Sequence, residues 1–137
     1  MIVLDTNVLS ELMRGPDAAP GVLGWVRRLA EQPVATVINR AELMAGLALL
    51  PDGRRARDLR RAAAAALASM DVCLPLTEKA ADHYGEIVSA RARSGAPIGG
   101  MDGLIAAIAR STGSAIATRD VTGFSGLGIR LVDPWTS

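Results

Sequence analysis

The chain opens with Ile2-Val3-Leu4-Asp5-Thr6-Asn7, in which three apolar β-prone residues are followed at once by three polar ones. A strand that is apolar at every position is typical of a parallel sheet covered by helices on both faces. A carboxylate directly after such a strand lies at the carboxyl end of the sheet, where open parallel sheets carry their functional sites. The opening stretch therefore predicts an α/β protein with Asp5 at its site.

Four more short apolar runs follow, and helical patterns separate them. The predicted strands after 2–4 are 34–37, 72–74, 114–118 and 129–132, and the predicted helices are 7–13, 20–31, 39–50, 54–69, 78–94 and 102–111. Strands that alternate with helices of this length are typical of βαβ units and a parallel sheet. The pattern predicts a three-layer α/β/α architecture with five strands, in a single domain that spans residues 1–137.

Length and composition exclude several classes of protein. The 137 residues are 50% hydrophobic and 21% charged, and a compact chain of this length buries roughly 70% of its extended surface. No apolar run approaches the ~20 residues of a membrane helix, so we expect a cytoplasmic protein with no membrane partner. Cys73 is the only cysteine; it makes no internal disulfide, and we expect it to be a small apolar core residue.

The charge balance limits how the chain can bind nucleic acid. Fifteen basic and fourteen acidic residues leave a net charge of +1, too small for binding by phosphate neutralisation alone. Only four residues are aromatic, which argues against a platform that stacks successive bases. Lys79 is the only lysine, and this excludes a phosphate-binding P-loop and a phosphoacceptor receiver domain, which needs a lysine after its last strand.

Four acidic residues fall at strand ends and helix starts of the predicted sheet: Asp5, Glu42, Asp102 and Asp120. Each has a structural interpretation, because Asp5 and Asp102 suit helix N-caps, Asp120 suits a turn, and Glu42 completes an Asn39–Glu42 capping box. Together, however, they repel one another by about 4 kcal/mol per pair at ~4 Å and an effective dielectric of about 20. A divalent cation relieves this repulsion.

The donor set indicates which cation and which chemistry. Carboxylate oxygens without a cysteine or histidine cluster fit Mg²⁺ or Mn²⁺ and do not fit zinc. Such an ion neutralises phosphate oxygens and lowers the pKa of a bound water. The acidic residues therefore indicate phosphodiester hydrolysis, with the cation supplying the positive charge that the chain lacks.

The same residues carry a resemblance to a known family. The matching segments are 1–11, Ala41-Glu42-Leu43, the helix from Asp102 with Ile105-Ala106-Ala107, Ala117-Thr118-Arg119-Asp120, and 132–135. Together they resemble the PIN domain, and more narrowly the VapC and FitB type of bacterial toxin nuclease. Relatives often have Ala on both sides of the third acid, whereas this chain has Met101-Asp102-Gly103. A helical glycine costs about 0.5–1 kcal/mol relative to Ala.

The resemblance implies a strand order of 3-2-1-4-5 and a Mg²⁺- or Mn²⁺-dependent endoribonuclease. It further implies a cognate antitoxin protein as partner, an RNA substrate and a homodimer. By position, Asp5, Glu42 and Asp102 match the core metal-binding acids of the family, and Asp120 matches the fourth. Three small polar residues match those that support the acids by hydrogen bonds: Thr6, Asn7 and Thr118.

Several alternatives stay open or are disfavoured by single residues. A haloacid-type hydrolase needs Asp where this chain has Asn7, and longer flap-type nucleases need more chain. A non-catalytic PIN-like interaction module is the remaining alternative. Arg119 is a candidate for contacting substrate phosphate or for pairing with an acid. The arginines between 54 and 61 form either a solvated helix face or an RNA surface, and His83 is not expected to act as a catalytic base.

Overall fold

Five short parallel strands form one sheet in the computed structural model, which describes residues 1–137. The strands are β1 (Ile2–Leu4), β2 (Pro33–Thr36), β3 (Cys73–Leu74), β4 (Ala115–Ala117) and β5 (Leu131–Val132). Their order is β3-β2-β1-β4-β5, and every neighbouring pair is parallel. Both the predicted α/β class and the predicted order 3-2-1-4-5 are confirmed.

Six α-helices connect the strands, close to where the sequence predicts them. They are α1 (Thr6–Leu12), α2 (Pro20–Arg28), α3 (Val37–Ala48), α4 (Arg54–Ala68), α5 (Glu78–Arg93) and α6 (Gly100–Thr112), with short 3-10 turns at Gly15–Asp17 and Thr122–Phe124. The helix α2 ends three residues earlier than predicted, because Leu29 has extended backbone. The helix α3 begins two residues earlier than predicted, because Thr36 is its N-cap.

Each face of the sheet has its own apolar core. On one face Val3, Val34 and Ile116 pack with residues of α5 and α6. On the other face, Ile2 and Leu4 pack with residues of α1 and α2. Successive strand residues point to opposite faces, so strands that are apolar throughout bury both sides, and this gives the predicted three layers.

The strand register determines which residues meet at the carboxyl edge. Leu4 of β1 lies opposite Ala117 of β4, and the backbone N–H of Asp5 donates to the Ala117 carbonyl at 2.9 Å. The residues directly after β1 and β4 therefore lie side by side. This places Asp5 next to Thr118 at the middle of the sheet.

The prediction that Cys73 is a core residue is wrong. It lies in β3, a two-residue strand at the edge of the sheet, and its thiol is exposed. Its neighbour Leu74 is buried instead, because side chains alternate along a strand. None of the helices has the length and apolarity required to cross a membrane.

Candidate metal centre

Asp5 joins β1 to α1 and is almost completely buried, with 5% of its surface exposed. It is the N-cap of α1, and its Oδ1 accepts a 2.8 Å hydrogen bond from the Thr6 backbone N–H. Its Oδ2 accepts from the Thr118 hydroxyl at 2.8 Å and from the Asn7 amide at 3.4 Å. The capping interpretation is therefore correct, but the cap leaves Oδ2 within the polar edge of the sheet.

The environment of Asp5 disfavours its charge. Burial raises the pKa of the Asp5 carboxyl above its usual value, and the negative charge of Asp120 acts in the same direction. Hydrogen bonds from Thr118 and Thr6 oppose this effect. A buried carboxyl that is shifted in this way is typical of functional sites.

Glu42 is oriented by a chain of side-chain hydrogen bonds that starts at β2. The Asn39 amide donates to the Thr6 hydroxyl at 3.1 Å, and this hydroxyl donates to Oε1 of Glu42 at 2.9 Å. Asn39 is completely buried and Glu42 is half-buried. Thr6 thus links the second acid to the helix that follows Asp5.

The predicted Asn39–Glu42 capping box is wrong. The N-cap is Thr36, whose hydroxyl accepts from the Asn39 N–H at 3.1 Å, while the Asn39 side chain accepts from the Thr36 N–H at 3.0 Å. The spacing of three between Thr36 and Asn39 is itself the sequence signal that would have found this cap. Because the capping box is complete without it, Glu42 is available to the site.

Asp102 approaches the acids from α6. This helix begins at Gly100 after Gly99 as N-cap, so Asp102 lies within the first turn and is not the cap itself. Burial raises the pKa of the Asp102 carboxyl, and the charges of Asp5, Glu42 and Asp120 raise it further. The structure therefore brings all four predicted acids into one electrostatic environment.

Gly103, which follows Asp102 in α6, has a packing role. A Cβ added to Gly103 would lie 2.9 Å from Cε1 of Tyr84, which is closer than van der Waals contact. Helices α5 and α6 pack tightly at this point because residue 103 has no side chain. This is the physical reason for the glycine that departs from the family pattern.

Asp120 is exposed and partly engaged in a turn. Its Oδ1 accepts from the Gly123 N–H at 3.0 Å, and its own N–H donates to the Thr118 hydroxyl at 3.0 Å. The interpretation of Asp120 as a turn residue is therefore correct for its Oδ1 atom. Its charge nevertheless raises the pKa of both Asp5 and Asp102.

Thr118 and Asn7 form hydrogen bonds with Asp5 and with each other. The Thr118 hydroxyl donates to Asp5 and accepts from the Asn7 amide at 3.3 Å. Oδ1 of Asn7 in turn accepts from the backbone N–H of Arg119 at 3.3 Å. The two side chains therefore connect α1 to the segment that carries Asp120.

Arg119 does not pair with any of the four acids. Its guanidinium lies over the Trp135 indole, with Cζ 4.9 Å from the ring centroid, a distance typical of a cation–π contact. The role of Trp135 was missed by sequence reasoning, since 16 residues separate it from Arg119 and no periodicity connects them. The contact leaves a positive charge at the edge of the site beside Asp120.

His83 lies outside this site. Its Nδ1 accepts a 2.8 Å hydrogen bond from Nε of Arg110, near the end of α6. Asp102 lies eight residues earlier in that helix, or about 12 Å along its axis at 1.5 Å per residue. The histidine belongs to a surface cluster with Glu86 and Arg110.

The donor set fits a hard divalent cation. None of the salt bridges in the chain involves the four acids, so no arginine or lysine compensates their charge. No three His, Cys, Asp or Glu side chains lie at coordinating distance from one point. The four acids offer only oxygen donors, and such donors suit Mg²⁺ or Mn²⁺, which keep several waters and share substrate phosphates.

Five parallel strands in the order 3-2-1-4-5, with acids at their carboxyl edge, define the class of protein. The chain belongs to the PIN domain family, whose model matches residues 2–126. The chain is 39% identical over 141 residues to the VapC ribonuclease Y4jK of Sinorhizobium fredii, with 98% of each chain covered. It is 34% identical over 138 residues to Toxin FitB of Neisseria gonorrhoeae, covering 98% of this chain and 99% of that protein.

A solved structure has the same fold along the whole chain. The crystal structure of FitAcB from Neisseria gonorrhoeae is similar with a TM-score of 0.84 and 34% identity, and 100% of each chain is covered. The resemblance to the VapC and FitB type of PIN domain is therefore confirmed.

Proposed function

We propose that this chain is a Mg²⁺- or Mn²⁺-dependent endoribonuclease and the toxin of a toxin–antitoxin pair. The observation that carries this proposal is the uncompensated acidic edge. Three other carboxylates raise the pKa of Asp102, and none of the four acids has a basic partner. One similar protein is named as a ribonuclease and another as a toxin, and both names support the proposal.

Asp5, Glu42, Asp102 and Asp120 would hold the cation. When bound, it supplies the positive charge that phosphodiester hydrolysis requires and lowers the pKa of a water molecule. The chain itself orients the first two acids. The Thr118 hydroxyl and the Thr6 backbone N–H each donate a hydrogen bond to one oxygen of Asp5, and the Thr6 hydroxyl donates to Glu42. Preorganised ligands of this kind keep their geometry when the substrate arrives.

Arg119 would bind the phosphate of the RNA. Its guanidinium is exposed and held over Trp135, so it makes no ion pair that the substrate would have to break. Planar guanidinium groups bind phosphate oxygens through two parallel hydrogen bonds. We assign Arg119 to substrate binding and not to compensation of the acids.

The remaining parts of the proposal concern partners and organisation. FitB of Neisseria gonorrhoeae is named as a toxin, and we propose that an antitoxin covers the acidic edge by inserting an Arg or Lys between the carboxylates. We also propose a homodimer, in which the exposed apolar side chains of Val37 and Met101, at 39% and 48%, would be covered. Residues 1–137 would act as one domain, in the cytoplasm where RNA is available.

The test is cleavage of total cellular RNA by the purified chain, freed of any co-purifying partner, with Mg²⁺ or Mn²⁺. Controls are EDTA, Asp5→Asn, and Asp17→Asn as a matched loss of an exposed carboxylate outside the site. We expect discrete fragments that EDTA and Asp5→Asn abolish and that Asp17→Asn preserves. Absence of cleavage together with absence of metal binding in calorimetry would favour the non-catalytic interaction module instead.

A further inference from the structure

A cavity of about 280 Å³ opens beside Glu42, between α1, α3 and α4. Thr6 and Glu42 belong both to the acidic edge and to the wall of this cavity. The cavity is therefore a continuation of the candidate metal centre. Its volume equals roughly nine water molecules at about 30 Å³ each, which suits one planar heterocycle.

The lining combines apolar side chains with a few polar groups. Met13, Leu43, Leu47 and Leu59 form apolar walls, and Ser10 and Glu42 provide a hydroxyl and a carboxylate. Nucleobases taken out of the stack are held between aromatic or apolar side chains and use their edges for hydrogen bonds. The lining of this cavity matches both requirements.

Two arginines lie at the far side of the cavity. Met13 and Leu59 also line an adjoining groove with Arg54 and Arg55 at the start of α4. Arg54 is 90% exposed and its nearest approach to Asp58 is 3.8 Å, and exposed pairs of this kind contribute little. Positive charge is therefore available on the side of the cavity opposite the acids.

We propose that this cavity is a subsite for one unstacked base of the RNA substrate, adjacent to the scissile phosphate. Arg54 and Arg55 bind the phosphate that follows this nucleotide. The order of phosphate, base and phosphate along one RNA strand matches the order of acidic edge, apolar cavity and arginines. The inference rests on the proposed ribonuclease activity and adds the position at which the enzyme holds a base.

Gly46 provides a direct test, because it lines the cavity and no atom lies within 4 Å of the position of an added Cβ. Gly46→Leu fills the cavity without a backbone clash. Gly85→Leu in α5 is the matched control, since this glycine is also helical and exposed with open space at its Cβ position. Both substitutions raise helix propensity, so both variants are expected to fold.

The substrate is a short RNA that the wild type cleaves, compared with the same RNA lacking the base on one side of the cleaved bond. Both flanking positions are tested in turn. At one of them, removing the base lowers kcat/KM of the wild type about fivefold, the lower limit for a base stacked on an aromatic ring, because the walls of this cavity are aliphatic. Gly46→Leu lowers kcat/KM on intact RNA to a similar extent and is insensitive to the missing base, whereas Gly85→Leu behaves as wild type.

The outcomes separate this inference from the proposed function. If the wild type cleaves RNA but Gly46→Leu has wild-type kcat/KM and the full penalty for the missing base, the subsite is wrong and the nuclease stands. If the wild type binds no metal and cleaves no RNA, the proposed function fails first. If Gly46→Leu cleaves normally but escapes inhibition by the antitoxin, the cavity binds a protein segment and the base subsite is overturned.

The arginines are tested by the salt dependence of RNA binding to the inactive Asp5→Asn variant. Adding Arg54→Gln and Arg55→Gln is expected to reduce the slope of log K against log salt by about 0.7 for each lost phosphate contact. The control is Arg130→Gln, which lines a cavity with Met1 at the opposite end of the strands. Equal slopes for the double variant and the control would overturn the assignment of these arginines.

Discussion

The Thr118 hydroxyl donates a 2.8 Å hydrogen bond to Oδ2 of Asp5, although 113 residues separate the two in the sequence. The strand register is the cause, because Leu4 of β1 lies opposite Ala117 of β4 and both polar residues directly follow their strands. The hydrogen bond favours the ionised form of Asp5, while burial opposes it. The two effects together determine when Asp5 can bind a cation.

Thr118→Val removes this donor while keeping the shape of the side chain. The pKa of Asp5 is expected to rise further, so metal binding begins at higher pH, and affinity at neutral pH falls about tenfold as for other lost supporting contacts. Calorimetric Mg²⁺ titrations from pH 5 to 8 measure both effects. Thr122→Val in the following turn is the control, and an unchanged pH midpoint for Thr118→Val would contradict the assigned role.

Asp5→Asn is expected to abolish cleavage while Tm is maintained or raised. Asn removes the buried charge but remains a good helix N-cap, whereas Asp5→Ala also loses the cap at a cost of about 1 kcal/mol. A shift in Tm of about 4 °C per kcal/mol of stability is typical for a domain of this size, so Asp5→Ala should melt several degrees below Asp5→Asn. Thermal unfolding without metal measures this order, and a collapse of Tm in Asp5→Asn would assign the residue a mainly structural role.

The stability of the metal-free protein is expected to fall as pH rises above about 4. Asp5 and Asp102 have raised pKa values in the folded state, so the native protein binds more protons than the unfolded chain between the unfolded and folded pKa values. Their favourable contribution is therefore complete below the unfolded pKa and is lost as pH rises through the folded pKa. Denaturant unfolding from pH 4 to 8 measures this dependence.

Comparison of variants isolates the contribution of Asp102 from that of the rest of the chain. The hydrogen bond from the Ala19 N–H lowers the pKa of Glu11, and its contribution has the opposite sign. Subtracting the Asp102→Asn curve from the wild-type curve removes this contribution. A difference in unfolding free energy that does not change between pH 4 and 8 would contradict the electrostatic coupling of the acids. Mg²⁺ should stabilise the wild type more at pH 8 than at pH 5.

Gly103→Ala is expected to destabilise the protein although alanine is the better helix former. The gain of about 0.5–1 kcal/mol in propensity is outweighed by overpacking against Tyr84, which typically costs 1–3 kcal/mol. Because Gly103 follows Asp102, the shift of α6 should also weaken metal binding. Urea unfolding and Mg²⁺ calorimetry measure the two effects. A net gain in stability would show that the contact relaxes at no cost, and Gly85→Ala provides the control for propensity alone.

Trp135→Leu is expected to raise KM for RNA with little change in kcat. The indole holds the Arg119 guanidinium at the edge of the site, and exposed cation–π contacts contribute about 0.5–1 kcal/mol, equivalent to a change of about two- to fivefold. Arg119→Ala should have a larger effect of the same kind. Steady-state kinetics distinguish this from a structural role, which would lower the concentration of active enzyme and therefore kcat without altering KM.

Most of the fold was predictable from local patterns. The all-apolar strands require burial on both faces, and the breaks at Pro51-Asp52-Gly53 and 94–100 separate the helices, so class and element order followed from the sequence. The strand order came from the resemblance to a family and not from spacing, because apolar strands of similar length can exchange places without breaking their pattern. The exposed Cys73 was missed because a two-residue edge strand has too few residues to show which face is buried.

The four acids were also predicted from the sequence, since their positions after strands and at helix starts place them near one edge. The hydrogen bonds that orient them were decided only by the tertiary structure. Thr6 contacts Glu42 across 36 residues, and Asn39 contacts Thr6 across 33. Such contacts depend on strand register and helix orientation, which no local pattern contains.

Two further features needed the assembled molecule. Trp135 lies against Arg119 only because β5 pairs in parallel with β4, so that the segments after both strands meet at the same edge. The cavity beside Glu42 exists only because α4 packs near α1 and α3. The sequence by itself determined which residues are apolar, which carry charge and which segments form helices, because these follow from local chemistry. The tertiary structure alone decided which charges lack a partner, because compensation depends on distances between residues that are remote along the chain.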